Sequence, residues 1–136
     1  MWIASTLGWF SIVTDLKRPG RMLVRARCRQ DIFNLYGANR DLKSIEEPTS
    51  DESRDYRWRM SIDRDDWIKL AARLAEGVDY WNFKNAVHER PDQRNNSIAY
   101  MEVWRTMYQV QSDERPEFTE TGQAQSANGE NGSDDY

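Results

Sequence analysis

The chain has 136 residues, 31% of them charged, a formal net charge of −4 and a mean hydropathy of −0.93. Six Trp and six Tyr still supply the apolar volume for one modest core, which excludes a chain disordered throughout. A single cysteine, Cys28, excludes an intrachain disulfide and a cysteine-built zinc site, and suits a reducing compartment.

Residues 2–16, WIASTLGWFSIVTDL, are rich in β-branched and aromatic types and predict an extended segment, with Gly8 marking a bend, a bulge or a close approach. Asp15 cuts this apolar run short and no early cationic segment precedes it, so neither a signal peptide nor a membrane span is expected and the protein reads as cytoplasmic. The KRPGR stretch at 17–21 is a hairpin turn, since Pro19 fixes one φ and Gly20 frees another. In residues 22–28 the alternation puts Met22, Val24, Ala26 and Cys28 on one side, facing a core, and Leu23, Arg25 and Arg27 on the other. From Arg29 the period changes, and Ile32, Phe33, Leu35 and Tyr36 predict a short helix that Gly37 caps.

The next third repeats this order. An extended segment is expected near 42–48, a polar loop near 49–54, a second alternating strand over 55–62 and a helix over 64–76. Tyr56, Trp58, Met60 and Ile62 would face inward, with Arg57, Arg59 and Ser61 outward. Asp63 is placed to cap the helix, Trp67, Leu70, Ala71 and Leu74 form its apolar stripe, and Gly77 ends it. A shift of 34 residues superimposes Arg25 on Arg59 and Asp31 on Asp65, which suggests a ββα duplication.

Two helices complete the domain. VDYWNFKNAVHER opens at Asp79 as cap, buries Tyr80 or Trp81 with Phe83 and Val87, and stops before Pro91. In NNSIAYMEVWRTMYQVQ the positions Ile98, Met101, Trp104 or Arg105, and Tyr108 recur at helical spacing. The fold class expected is α+β: two ββα units forming an antiparallel sheet with helices on one face, ferredoxin-like or permuted, with a helical C-terminal extension. A single domain over 1–110 would precede a disordered acidic tail over 111–136, which holds seven acids and one arginine, for a formal charge of −6 that leaves +2 on residues 1–110.

Candidate chemistry concentrates in two places. If both inner strands turn their apolar residues to the helices, Arg25, Arg27, Arg57 and Arg59 gather on the opposite sheet face, where guanidinium forks suit phosphate or carboxylate. The same pattern also serves a solvated face with each arginine paired to Asp or Glu. Tyr80, Asn82 and Lys84 in DYWNFKNAV would bind an anion or a base edge near a helix start, or form the polar half of an amphipathic helix. His88 reads as a helix-end residue rather than a general base, and Cys28 as a small core residue rather than a nucleophile. The acids of DRDD, 63–66, complement a helix dipole without requiring Mg²⁺, and there is no P-loop, GxGxxG, HExxH or GxSxG motif. No cofactor and no metal are expected.

In order, MWIASTLGWFSIV, LVRARCRQDI, DYRWRMSIDRDDW, DYWNFKNAV and AYMEVWRTMY resemble a widespread group of short, uncharacterised bacterial proteins with an MW...GFFSIV start, a VRAR strand and a DYxNFK helix. The resemblance covers residues 1 to about 110, departing at Trp9, where the group has Phe, and at Trp81, where it has a small residue. It implies a compact cytosolic single-domain protein and directs attention to Ser11, Arg25, Arg27, Tyr56, Arg59, Tyr80, Asn82 and Lys84. It brings no activity. The function expected is therefore a non-catalytic binding or regulatory module whose basic sheet face engages an anionic partner: an acidic protein surface, a nucleotide or nucleic acid. A phage or mobile-element accessory factor or inhibitor would have this profile. The alternative is a small phosphodiester- or nucleotide-acting enzyme using Arg and Tyr. An uncovered sheet face also makes a homodimer reasonable.

Overall fold

The computed structural model describes residues 1–114. It is an α+β fold built on a five-stranded, wholly antiparallel sheet in the order β1-β2-β3-β5-β4. The strands are β1 (Trp2–Ser5), β2 (Gly8–Thr14), β3 (Arg21–Ala26), β4 (Thr49–Ser50) and β5 (Trp58–Asp63). The helices are α1 (Arg29–Ala38), α2 (Arg64–Glu76), α3 (Phe83–His88) and α4 (Arg94–Asp113), with a 3₁₀ turn at Pro91–Gln93.

Alternation in β3 and β5 sorts the side chains as expected, and β2 follows the same rule. Phe10, Ile12, Met22, Val24, Ala26, Met60 and Ile62 are buried under Ile32 and Leu35 of α1 and Trp67 and Leu70 of α2. Burying about ten large apolar side chains at ~1.5–3 kcal/mol each is the main driving force of such a sheet-and-helix layer. The run at 2–16 is two strands rather than one. It turns at Thr6–Leu7, where the Ser5 hydroxyl accepts from Leu7 N at 3.2 Å and donates to Gly8 O at 3.3 Å. Gly8 then adopts φ +152°, and a Cβ there would stand 2.4 Å from Asp31 Cβ, so the close approach expected at this glycine is real.

The expected ββα repeat is visible in β2-β3-α1 and β4-β5-α2. β3 pairs with β5 in the register Arg21↔Asp63 to Ala26↔Trp58, and this sets Arg25 directly opposite Arg59. These are the two positions that the 34-residue shift superimposes, so the pair lies on the approximate two-fold axis relating the units. The repeat fades beyond it. Residues 42–48 form turns and irregular chain instead of a strand, and β4 is two residues long.

Several local expectations are corrected. Cys28 is exposed at the N-cap of α1, because β3 ends at Ala26 before the alternation reaches it. Gly37 lies inside α1, and Asn39 takes the C-cap, its amide donating to Leu35 O at 2.8 Å. The bounds expected for α2 hold, yet the Asp63 side chain makes no capping bond and pairs with Arg21 at 2.6 Å. α3 is capped by Asn82, whose side chain accepts from Asn85 N, instead of by Asp79. In α4 the buried residue is Tyr100, while Ile98 and Tyr108 are exposed and Trp81 before α3 is 81% exposed. α4 also continues through residues 111–113, placed in the acidic tail by composition; the remainder of that tail lies outside the described residues.

An amide–carboxylate network fastens the last helices to the sheet. Asp31, 2% exposed, accepts from Trp9 N at 3.0 Å, from Gln93 Nε2 at 3.1 Å and from Asn96 Nδ2 at 2.9 Å. Gln93 also donates to Leu7 O, and Asn34 to Leu7 O and Asp92. Trp9 packs against Tyr100 with ring centroids 5.8 Å apart. Among the described residues no helix is long and apolar enough to cross a membrane.

Candidate functional site: a basic groove on the open sheet face

The sheet face opposite α1 and α2 is where the arginines gather. The pairing registers set Trp2, Ser11, Arg25, Arg59 and Thr49 in one row across all five strands, so these side chains share that face. Arg25 donates to the Ser11 hydroxyl at 2.7 Å, and its guanidinium lies 4.7 Å from the Tyr56 ring centroid. Arg59 Nε donates to the Tyr56 carbonyl at 3.2 Å. Tyr56 is buried, as its parity in the sequence suggested, but it lies outside the cluster packed under α1 and α2. It precedes β5 and has the Arg25 and Arg27 guanidiniums over its ring at 4.7 and 4.3 Å.

Directly opposed like charges repel across a strand pair. The electron-rich face of Tyr56, its carbonyl and the Ser11 hydroxyl hold the two guanidiniums with partial charges only. Among the described residues neither Arg25 nor Arg59 has a carboxylate within ion-pair distance. Arg25 Nε is buried without a hydrogen-bond partner.

Around this pair lies a groove of about 710 Å³. Val13, Leu23, Arg25 and Arg59 form its floor, the turn Asp15–Arg18 one wall, and Arg54 and Asp55 another. Of the five cationic side chains there, Arg18 is paired with Asp15 and Glu46 and Arg54 with Asp51, which leaves Lys17, Arg25 and Arg59 without an ion pair among the described residues. Asp15 is already engaged: its carboxylate accepts from Lys17 N and from Arg18, contacts that hold it below the usual carboxylate range. The cations without an ion pair, Lys17, Arg25 and Arg59, outnumber the remaining acid of the groove, Asp55.

The other arginines leave this site. Arg27 is exposed, donates to Asp55 O at 2.9 Å and lines a separate cavity of about 360 Å³ beside Trp9, Cys28 and Tyr100. Arg57 precedes β5 and pairs with Glu52 at 2.5 Å. Tyr80, Asn82 and Lys84 share no helix face, since α3 starts only at Phe83. Tyr80 packs on Phe83, Asn82 is the cap, and Lys84 Nζ stands over the Trp104 ring at 4.6 Å. Asn82 and Lys84 line an apolar cleft with Trp9, Phe83 and Trp104, apart from the groove.

No family model, curated protein or solved structure matches the chain. What the site can do thus rests on its chemistry. Sequence reasoning missed Arg18 and Arg54, whose only signal was position on polar turns flanking the strands, and it missed Tyr56 as the surface on which Arg25 and Arg27 stack. Among the described residues no group of three or more His, Cys, Asp or Glu could hold a metal ion. Asp66 of the DRDD run is tied to Ser44 and Lys69.

Proposed function

We propose that this protein is a non-catalytic binding module that captures an anionic partner in the groove on its open sheet face. The observation that carries this reading is the Arg25–Arg59 pair, two arginines opposite one another in the β3–β5 register that both line the groove, neither with a carboxylate within ion-pair distance among the described residues. Holding like charges together costs free energy that an arriving phosphate or carboxylate returns, through charge-assisted hydrogen bonds.

The test is thermal unfolding of the full chain at low ionic strength with pyrophosphate, nucleotides, oligonucleotides and polyglutamate. Ligands that bind only the folded form raise the melting temperature. The expected rise declines as salt increases and is absent from an Arg25→Gln/Arg59→Gln double variant. No rise with any of these anions, or an equal rise in the double variant, refutes the reading.

A further inference from the structure

We infer that the anionic partner is a single-stranded nucleic acid whose bases stack on Trp2 while its phosphates occupy the arginine groove. This rests on the binding reading above and names its ligand. The row across the sheet joins the two chemistries: Trp2 pairs with Ser11, Ser11 with Arg25, and Arg25 with Arg59. Trp2 therefore stands two and three strand spacings, of about 4.8 Å each, from the two arginines on one surface.

Trp2 is built to receive a ring. It is 70% exposed, and on one side it rests on Trp9 with centroids 6.0 Å apart, Trp9 itself being braced by Tyr100. Its remaining surface meets solvent, an exposure that costs hydrophobic free energy unless something covers it. An acidic protein segment would satisfy Arg25 and Arg59 but leave this indole bare. An unpaired strand covers both, because each nucleotide carries a phosphate and a flat π-face. A duplex keeps its bases stacked inside and offers phosphates alone.

The experiment is fluorescence anisotropy of a labelled single-stranded oligonucleotide titrated with the full chain, with the matching duplex and polyglutamate as competitors. The single strand is expected to bind more tightly than either competitor. Trp2→Ala is expected to weaken it about 5- to 100-fold without changing the salt dependence, and Trp2→Tyr to restore most of the loss. Arg25→Gln/Arg59→Gln should lower the slope of log K against log salt by about 1.4, the share of two phosphate contacts on a single strand. If Trp2→Ala binds like wild type, or polyglutamate displaces the strand charge for charge, the inference falls and the anion-binding reading stands. If the double arginine variant binds unchanged, that reading falls as well.

Discussion

Asp31 occupies the space that a side chain at Gly8 would need. The Asp31 Cβ and Cγ lie 2.4 Å from the position of a Cβ on residue 8, and the Asp31 carboxylate bonds the next residue's amide, Trp9 N, at 3.0 Å. Gly8→Ala forces both a clash with a buried residue and an unfavourable backbone at φ +152°. We expect it to destabilise the fold by about 2–4 kcal/mol, measured by urea unfolding. Gly37→Ala is the control: that glycine sits in α1 with open space around it, and we expect a gain of up to about 1 kcal/mol.

Asp31→Ala leaves the donors on Trp9, Gln93 and Asn96 facing an empty site. We expect a loss of about 2–4 kcal/mol, with amide exchange rising first at the start of α4, which this carboxylate ties to β2 through Asn96 and Trp9. Equal exchange rates in α4 before and after the substitution would show that packing on Trp9 and the Gln93–Leu7 and Asn34–Asp92 hydrogen bonds hold it without this carboxylate.

Arg59→Gln separates stability from binding. Removing one of two opposed cations relieves repulsion and sacrifices one hydrogen bond to Tyr56 O, so unfolding should shift by no more than about 0.5 kcal/mol. Anion affinity at low salt should drop in the same variant. A large loss of stability would mark the guanidinium as a structural brace.

Asp66 is held well below the usual carboxylate range by Lys69 and by the Ser44 hydroxyl and amide; Asp15, Asp41, Asp51 and Asp92 are lowered by their own donors. Depressed folded-state values mean that these groups stabilise the fold above the ordinary aspartate pKa and stop doing so as pH falls through their folded values. The melting temperature should therefore be level above about pH 5 and decline below about pH 4. Asp66→Asn should melt lower at neutral pH, and its deficit should shrink in acid, where the wild-type carboxylate is also neutral.

Cys28 gives a labelling prediction. It is exposed, but surrounding protein atoms, and then Asp31, push its thiol up from the ordinary value. A maleimide should modify the native protein slowly at pH 7 and faster as pH approaches 9, because the thiolate is the reacting form. A core position, as strand alternation alone suggested, would demand unfolding before any reaction.

What was legible in the chain follows from how local each signal is. The bounds of α2 were readable because Trp67, Leu70 and Leu74 fall at a clean helical period just before Gly77. The core faces of β3 and β5 were readable because alternation is intrinsic to a strand. The same rule does not reach Tyr56 and Arg57, since β5 begins only at Trp58 and residues 51–57 turn instead of extending. α4 carries apolar side chains around most of its circumference, so its own period could not single out Tyr100; contacts with Trp9 and Phe83 do that. The burial of Asp31 was invisible locally, since Gln93 and Asn96 stand 62 and 65 residues away. The groove was half legible: Arg25 and Arg59 from alternation, Arg18 and Arg54 only once the turns closed around them.

The placement of Arg25 and Arg59 on the approximate two-fold axis has a bearing on orientation. The backbone positions of the two arginines are equivalent across that axis but their side chains are not. Arg25 donates to Ser11 and lies on the Tyr56 ring, while Arg59 donates to the Tyr56 carbonyl, so a linear molecule laid across the pair meets a different guanidinium setting at each end. Features off the axis add to that polarity: Trp2 on the β1 side, and the turn at 51–57 on the other.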